Sequence, residues 1–256
     1  MIYDDNGTHT INGTTFSGNT ATQNGGAIYN YSGTIGDIIG DFSNNYVEGK
    51  YDVSGKIGAI GGAISNNTTV TSGISGTFTN NSATSQGGAI QNYAGYITDG
   101  ISNSTFSGNH AADGGAIWNQ SSSLAITDSS FTNNYTTTGN GGAIYSSGNL
   151  TINAVNDAVT FSGNQVKTSS TAVANDIYMD GGTGAPIDLS LNAADTTKKI
   201  SLGGGVAGTN YNVNICGEET LFIFQIPSAL PYPLYQGEII LLFCSPLDKE
   251  GPGEVC

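Results

Sequence analysis

A four-residue motif, Phe-[Ser/Thr]-[Gly/Asn]-Asn, recurs six times in this chain, at Phe16–Asn19, Phe42–Asn45, Phe78–Asn81, Phe106–Asn109, Phe131–Asn134 and Phe161–Asn164. Five copies are followed by a second motif: Gly25-Gly26-Ala27-Ile28, Gly61-Gly62-Ala63-Ile64, Gly87-Gly88-Ala89-Ile90, Gly114-Gly115-Ala116-Ile117 and Gly141-Gly142-Ala143-Ile144. Linked motifs recurring every 25 to 36 residues mark a stacked repeat, in which each unit buries its apolar face only against its neighbours. The repeat demands a fold that grows along one axis.

The unit from Gly114 to Asn134 holds three short apolar runs, Ala116-Ile117-Trp118, Leu124-Ala125-Ile126 and Ser130-Phe131-Thr132, separated by polar turns. The next unit repeats the plan with Ala143-Ile144-Tyr145, Leu150-Thr151-Ile152 and Val159-Thr160-Phe161. Three short strands and three turns per unit predict one triangular coil of an all-β, right-handed, single-stranded parallel β-helix over roughly residues 10–215. Helix is disfavoured, because Gly, Asn, Ser and Thr are poor helix formers and no 3.6-residue apolar period exists.

Strand alternation places the six phenylalanines in one interior column, each ring contributing roughly 1.5–3 kcal/mol on burial. The residue two after each Phe is Gly or Asn, the two types that tolerate the left-handed backbone of a sharp corner. The invariant fourth-position Asn predicts an amide ladder along the axis. In the second motif Ile faces inward, the glycines open the preceding turn, and alternation predicts that Ala faces outward. The span from Phe to the next Gly is 9, 19, 9, 8 and 10 residues, so the stretch Tyr46–Ile60 is an insertion. Insertions in solenoids form loops, often on the binding side.

Charge narrows the function. The net charge is −14, and the six basic residues are all lysines, so nothing favours nucleic acid or an anionic membrane surface. The three cysteines, Cys216, Cys244 and Cys256, lie in the last 41 residues, which leaves the repeats without a disulfide framework or a cysteine metal site. Residues 1–15 lack the basic and apolar regions of a signal peptide. Three parts are expected: repeats over 1–182, degenerate terminal coils over 183–215, and a proline-rich tail over 216–256. The tail's apolar run is interrupted by prolines and a glutamate, is too short for a membrane barrel, and predicts poor order and no direct membrane insertion.

No cofactor, metal or catalytic residue is expected. His9 and His110 have no repeated acidic partner and read as solvated turn residues. A glycoside hydrolase would need carboxylates on neighbouring coils, and a polysaccharide lyase would need cations for its acidic sugars. The close pairs Asp37/Asp41 and Asp176/Asp180 do not recur at one register, so hydrolysis or lysis of glycans is the second reading. The candidate binding residues are the outward positions Tyr29, Trp118 and Tyr145, which form either an exposed strip or a stack shielding the sheet, together with Tyr46 and Tyr51 of the insertion.

These paired tetrapeptides are those of the chlamydial polymorphic outer membrane proteins, and the chain resembles that repeat family over about residues 14–165. The end, with Asn175-Asp176-Ile177-Tyr178 and Ser201-Leu202-Gly203-Gly204-Gly205, is similar to the late passenger region of large bacterial autotransporters. The resemblance implies a β-helical passenger exported through a C-terminal barrel to the cell surface, or secreted, in a Gram-negative bacterium. It also implies adhesion in which both tetrapeptides take part. The expected partners are a receptor or glycan on a host or neighbouring cell, or a second copy of the chain.

Overall fold

The computed structural model describes residues 1–49, 60–120, 123–167, 171–194 and 198–216, with the backbone of 222–224 and 241–244. It is a parallel β-helix with three walls. The first wall stacks eight strands, from Ile2–Asp4 through Ile28–Asn30, Ile64–Asn66, Ile90–Asn92, Ile117–Asn119, Ile144–Ser146 and Ile177–Asp180 to Val206–Thr209. A short second wall carries the two-residue strands that follow each Phe motif, such as Ser82–Ala83 and His110–Ala111. The long third wall holds the Phe strands.

The Phe column exists as the sequence implies. Successive rings from Phe16 to Phe161 stack with centroids 5.0, 4.9, 4.7, 4.7 and 4.6 Å apart and nearly parallel planes. Leu202 takes the next place in the column. Beside it on the third wall run Ile11, Ile38, Ile74, Ile101, Ile126, Ile152, Leu191 and Ile215, register-paired coil to coil and all buried. The corner two residues after Phe has positive φ in all six copies, between 52° and 67°.

Each glycine of the second motif has its own task. The first, as in Gly87, adopts positive φ. The second leaves no room for a side chain, because a Cβ at Gly88 would collide with the carbonyl oxygen of Gly115 one coil on. The same collision recurs at Gly26, Gly62 and Gly115 with the next coil's glycine.

Ala27, Ala63, Ala89, Ala116 and Ala143 are fully buried, which corrects the outward placement that alternation predicts. The strand starts only at the following Ile, so alternation does not reach back across the corner. The corner is tight enough that the N–H groups of Ala89 and Ile90 both donate to Ala116 O, at 2.9 and 3.0 Å.

The asparagine ladder is complete. Asn109 Nδ2 donates to Asn134 Oδ1 of the following coil at 3.0 Å and to Phe78 O of the preceding one at 2.9 Å. Its Oδ1 accepts from the backbone N and the Nδ2 of Asn81, at 2.9 and 3.0 Å. All four hydrogen-bonding positions of a buried amide are thereby filled, the condition for burying one cheaply. The pattern runs from Asn19 to Asn164 and ends where Asn164 Nδ2 donates to Asp176 Oδ1 at 2.8 Å.

A second ladder runs on the first wall, two residues after each inward Ile: Asn30, Asn66, Asn92 and Asn119, linked Nδ2 to Oδ1 at 2.8–2.9 Å and closed by Ser146 Oγ.

After Asn164 the repeat changes. Gln165–Lys167 and Ala172–Ala174 form an antiparallel hairpin at the end of the second wall, the one antiparallel pairing among the described strands. Asp176 then occupies the position of the motif's Ala, and its fully buried carboxylate takes over the ladder. Two segments of the tail extend the third wall: Phe222–Phe224 pairs in parallel with Ile200–Leu202, and Leu241–Cys244 with Tyr211–Cys216.

Candidate functional site

The outward position after each Ile of the first wall forms one register column: Tyr3, Tyr29, Ser65, Gln91, Trp118, Tyr145, Tyr178 and Ala207. Tyr29, Trp118 and Tyr145 therefore share a column but not a continuous strip, because Ser65 and Gln91 separate Tyr29 from the other two. Trp118 corrects the exposed reading: it is 6% exposed, stacked between Tyr93 at 6.3 Å and Tyr145 at 6.1 Å. Tyr145 stacks in turn on Tyr178 at 5.5 Å, and its hydroxyl donates to Asp180. Burial, with that carboxylate beside it, pushes the Tyr145 phenol well above the usual tyrosine range. These rings shield the sheet.

The other end of the column is open. Tyr3, Tyr29 and Tyr31 form a triangle with centroids 5.5, 5.7 and 6.3 Å apart, two of the three pairs tilted. Tyr3 and Tyr31 are about half exposed, and so are Tyr93 and Tyr96. Tyr31 and Tyr93 directly follow first-wall strands and Tyr96 opens the strand beyond the same turn, so these three lie along the corner between the first and third walls, and Tyr3, within its first-wall strand, stacks on Tyr31. Asn67 lies at that corner between Tyr31 and Tyr93, its Nδ2 donating to Tyr29 Oη at 3.2 Å. The chain is otherwise polar, so a group of half-exposed rings stands out as a contact surface.

Tyr46 is half-buried on the second wall, in register with Thr20 and Ser82, away from this corner. Tyr51 and most of the insertion lie outside the described residues. His110 is not a solvated turn residue: it sits in a strand, its ring stacked on Tyr135 at 4.8 Å, with Lys167 Nζ 3.7 Å from the Tyr135 ring centre. Burial pushes the His110 imidazole below its usual range, and Lys167 adds to that. His9 likewise belongs to a strand, 3.4 Å from Asp4 Oδ1.

The acidic pairs do not assemble a site. Asp176 points into the core, whereas Asp180 points out to Tyr145 and Thr209. Asp41 is flanked in register by Thr15 and Thr77. Among the described residues no group of three His, Cys, Asp or Glu side chains could hold a metal ion.

Sequence reasoning missed Tyr3, Tyr31, Tyr93, Tyr96 and Asn67. They belong to neither motif, and only the register of the coils brings them to one edge.

The profile of the Chlamydia polymorphic membrane protein repeat matches the chain at four places, residues 13–31, 75–93, 103–120 and 128–147. Neither a curated protein nor a solved structure matches it.

Proposed function

Starting from a chain built on the Chlamydia polymorphic membrane protein repeat, we propose that it is the displayed part of a bacterial surface protein, an autotransporter-type passenger that acts in adhesion. The observation that carries this reading is the tyrosine corner. Four half-exposed rings on a polar, acidic rod form a surface suited to contact with another molecule. A solenoid offers such surfaces at low cost, because its interior repeat is indifferent to what the corners carry. Binding, rather than hydrolysis, also accords with acids that point to opposite sides of the wall.

The test is attachment. Beads coated with the purified chain are expected to bind cultured epithelial cells, and a variant with Tyr3, Tyr31, Tyr93 and Tyr96 changed to Ser, with an unchanged far-UV spectrum, is expected to lose most of that binding. Equal attachment by bare and coated beads would overturn the adhesive role. Equal attachment by the two proteins would move the site away from this corner.

A further inference from the structure

The first-wall ladder lacks its opening rung. Each later amide accepts at Oδ1 from the coil before it: Asn66 from Asn30 Nδ2 at 2.8 Å, and Asn92 and Asn119 in the same way at 2.9 Å. The coil before Asn30 puts Asp4 in that register. Asn30 Oδ1 and Asp4 Oδ2 are both buried, and neither has a hydrogen-bond partner.

The Asp4 carboxyl lies where a ladder amide lies. A Cβ at Gly33, three residues after Asn30, would meet Asp4 Oδ2 at 2.0 Å; one at Gly95, three residues after Asn92, would meet Asn66 Nδ2 at 2.2 Å. Asp4 Oδ2 thus stands in for the nitrogen that each later rung uses as its donor. An ionised carboxylate only accepts, so two acceptors would meet out of reach of water, a costly arrangement for buried polar atoms. A carboxylic acid has the shape of the amide, donates from one oxygen and accepts at the other. Asp4 Oδ1 already accepts, from the Gly7 N–H at 2.9 Å. Closure to solvent bars a ligand or a hydrated ion from this joint, but a proton enters whenever the edge coil opens.

The charged groups around Asp4 are few. His9 Nε2 lies 3.4 Å from Asp4 Oδ1. Asp5 turns its carboxylate to Ser32 Oγ, 2.9 Å away, and adds a second negative charge beside Asp4. The facing coil brings the phenols of Tyr29 and Tyr31, packed against Tyr3. The described lysines, Lys167, Lys198 and Lys199, belong to coils at the other end of the rod.

We propose that Asp4 carries a hydrogen on Oδ2 and donates it to Asn30 Oδ1, a proton-held rung that fastens the first coil to the second. The proton comes from water and returns to it, and no other covalent bond changes. Tyr3 belongs to the same strand as Asp4 and stacks on Tyr31, so the rung governs how firmly Tyr3 is held at the tyrosine corner. The inference adds a pH control to the adhesive reading and rests on that reading only for its biological setting.

Because the folded coil holds the proton, the rung's contribution is fully present in acid and is lost as pH rises. An ion pair between Asp4 and protonated His9 has the opposite sign on the acid side, since it needs the charged carboxylate.

Hydrogen exchange, read by NMR as protection factors, separates the coils. The Tyr31 N–H donates to Asp4 O at 2.8 Å, and the Tyr93 N–H, at the equivalent place beside an amide rung, donates to Asn66 O at 3.0 Å. From below the ordinary Asp range, about 4, up to neutrality, Tyr31 protection is expected to fall about tenfold relative to Tyr93, roughly one hydrogen bond. Asp4→Asn supplies an amide donor, so Tyr31 protection at neutral pH should rise to about the parent's acid value and stay flat. His9→Gln should keep the parent's slope. The infrared difference between the parent and Asp4→Asn should show a neutral carboxylic C=O stretch that fades as Tyr31 protection falls. Tyr31 protection that is flat or rises with pH in the parent, a parent-like slope in Asp4→Asn, or a slope lost in His9→Gln would overturn the proposal. A flat Tyr31 profile in a chain that still attaches to cells removes the rung and leaves the adhesive reading standing. The expected profile in a chain that does not attach has the reverse meaning.

Discussion

Inside the rod, the same residue returns at the same place in coil after coil: Phe42 under Phe78, Asn81 under Asn109, Gly62 under Gly88. At the corner beyond the first wall, one position is occupied in turn by Tyr31, Asn67, Tyr93, Gln120 and Ser147. Through the motif-bearing coils the interior columns vary little, because each side chain is a contact surface for its own copy. A ring 4.7 Å from its neighbour, or an amide with all four hydrogen bonds fixed, restricts what the next coil can place beside it. The corner has no such partner and is free to carry something specific. Repetition here encodes the scaffold, and departure from repetition marks the surface.

The sharpest way to break the contrast is to remove one rung. Asn109→Ala leaves the Asn81 N–H without a partner in a buried column, removes the amide from Phe78 O, and takes one of two hydrogen bonds from Asn81 Nδ2, which keeps Phe42 O, and from Asn134 Oδ1, which keeps the N–H of residue 109. The expected loss is about 4 kcal/mol, read as a shift in the urea midpoint. A loss under about 1 kcal/mol would mean that water replaces the rung and that the interior is more permissive than its regularity implies.

A smaller effect is expected where the ladder ends. Burial pushes the Asp176 carboxyl up to about 6, although the Asn164 amide and the N–H groups of Gly204 and Gly205 pull the other way. A carboxyl that binds its proton more tightly when folded stabilises most below its unfolded pKa, near 4. That contribution is lost as pH rises through about 6. Stability should therefore fall between about pH 4 and 6.5, and Asp176→Asn should flatten that slope in urea titrations at several pH values. Asp128 acts with the opposite sign in a lower window. Burial opposes its ionisation, but the N–H groups of Val155, Asn156 and Asp157 outweigh this and hold its carboxyl below the usual range. Its contribution is present above the unfolded pKa and lost as pH falls through the folded one. A slope in Asp176→Asn equal to the parent's would assign the pH dependence elsewhere.

The smallest stability effect belongs to the corner. Tyr31→Ala should leave the urea midpoint within about 0.5 kcal/mol of the parent, because its ring is half solvated and supports no column. A drop of 2 kcal/mol would make the tyrosines part of the scaffold and end the contrast.

The interior was legible because period and chemistry coincide in it. Phe, the Gly/Asn corner and the invariant Asn each announce a column from spacing alone. The second ladder left an equally plain signal, an Asn two residues after the motif's Ile in four of five repeats, hidden only by ending the motif at Ile. Ala89 and its equivalents were misplaced because alternation is a property of strands and they lie at a corner. Trp118 was placed on the correct outward face, but its burial depends on Tyr93, a residue of another coil that no local pattern connects to it. The tyrosine corner was illegible for the same reason: Tyr3 meets Tyr31, and Tyr31, Tyr93 and Tyr96 come to one edge of the rod, only when coils of unequal length are laid in register.

Every amide in the Phe-side ladder turns its Oδ1 toward the preceding coil and donates from Nδ2 to the Oδ1 of the following one. The rod consequently has a polarity, like a zip whose teeth all lean one way. A coil laid on backwards would set oxygen against oxygen at the rung, and it would be rejected even though its phenylalanine could still stack. Apolar columns alone cannot tell up from down. The asparagines supply the arrow, and with it a means of refusing a reversed neighbour while a chain with so many near-identical segments is still choosing which of them to stack on which.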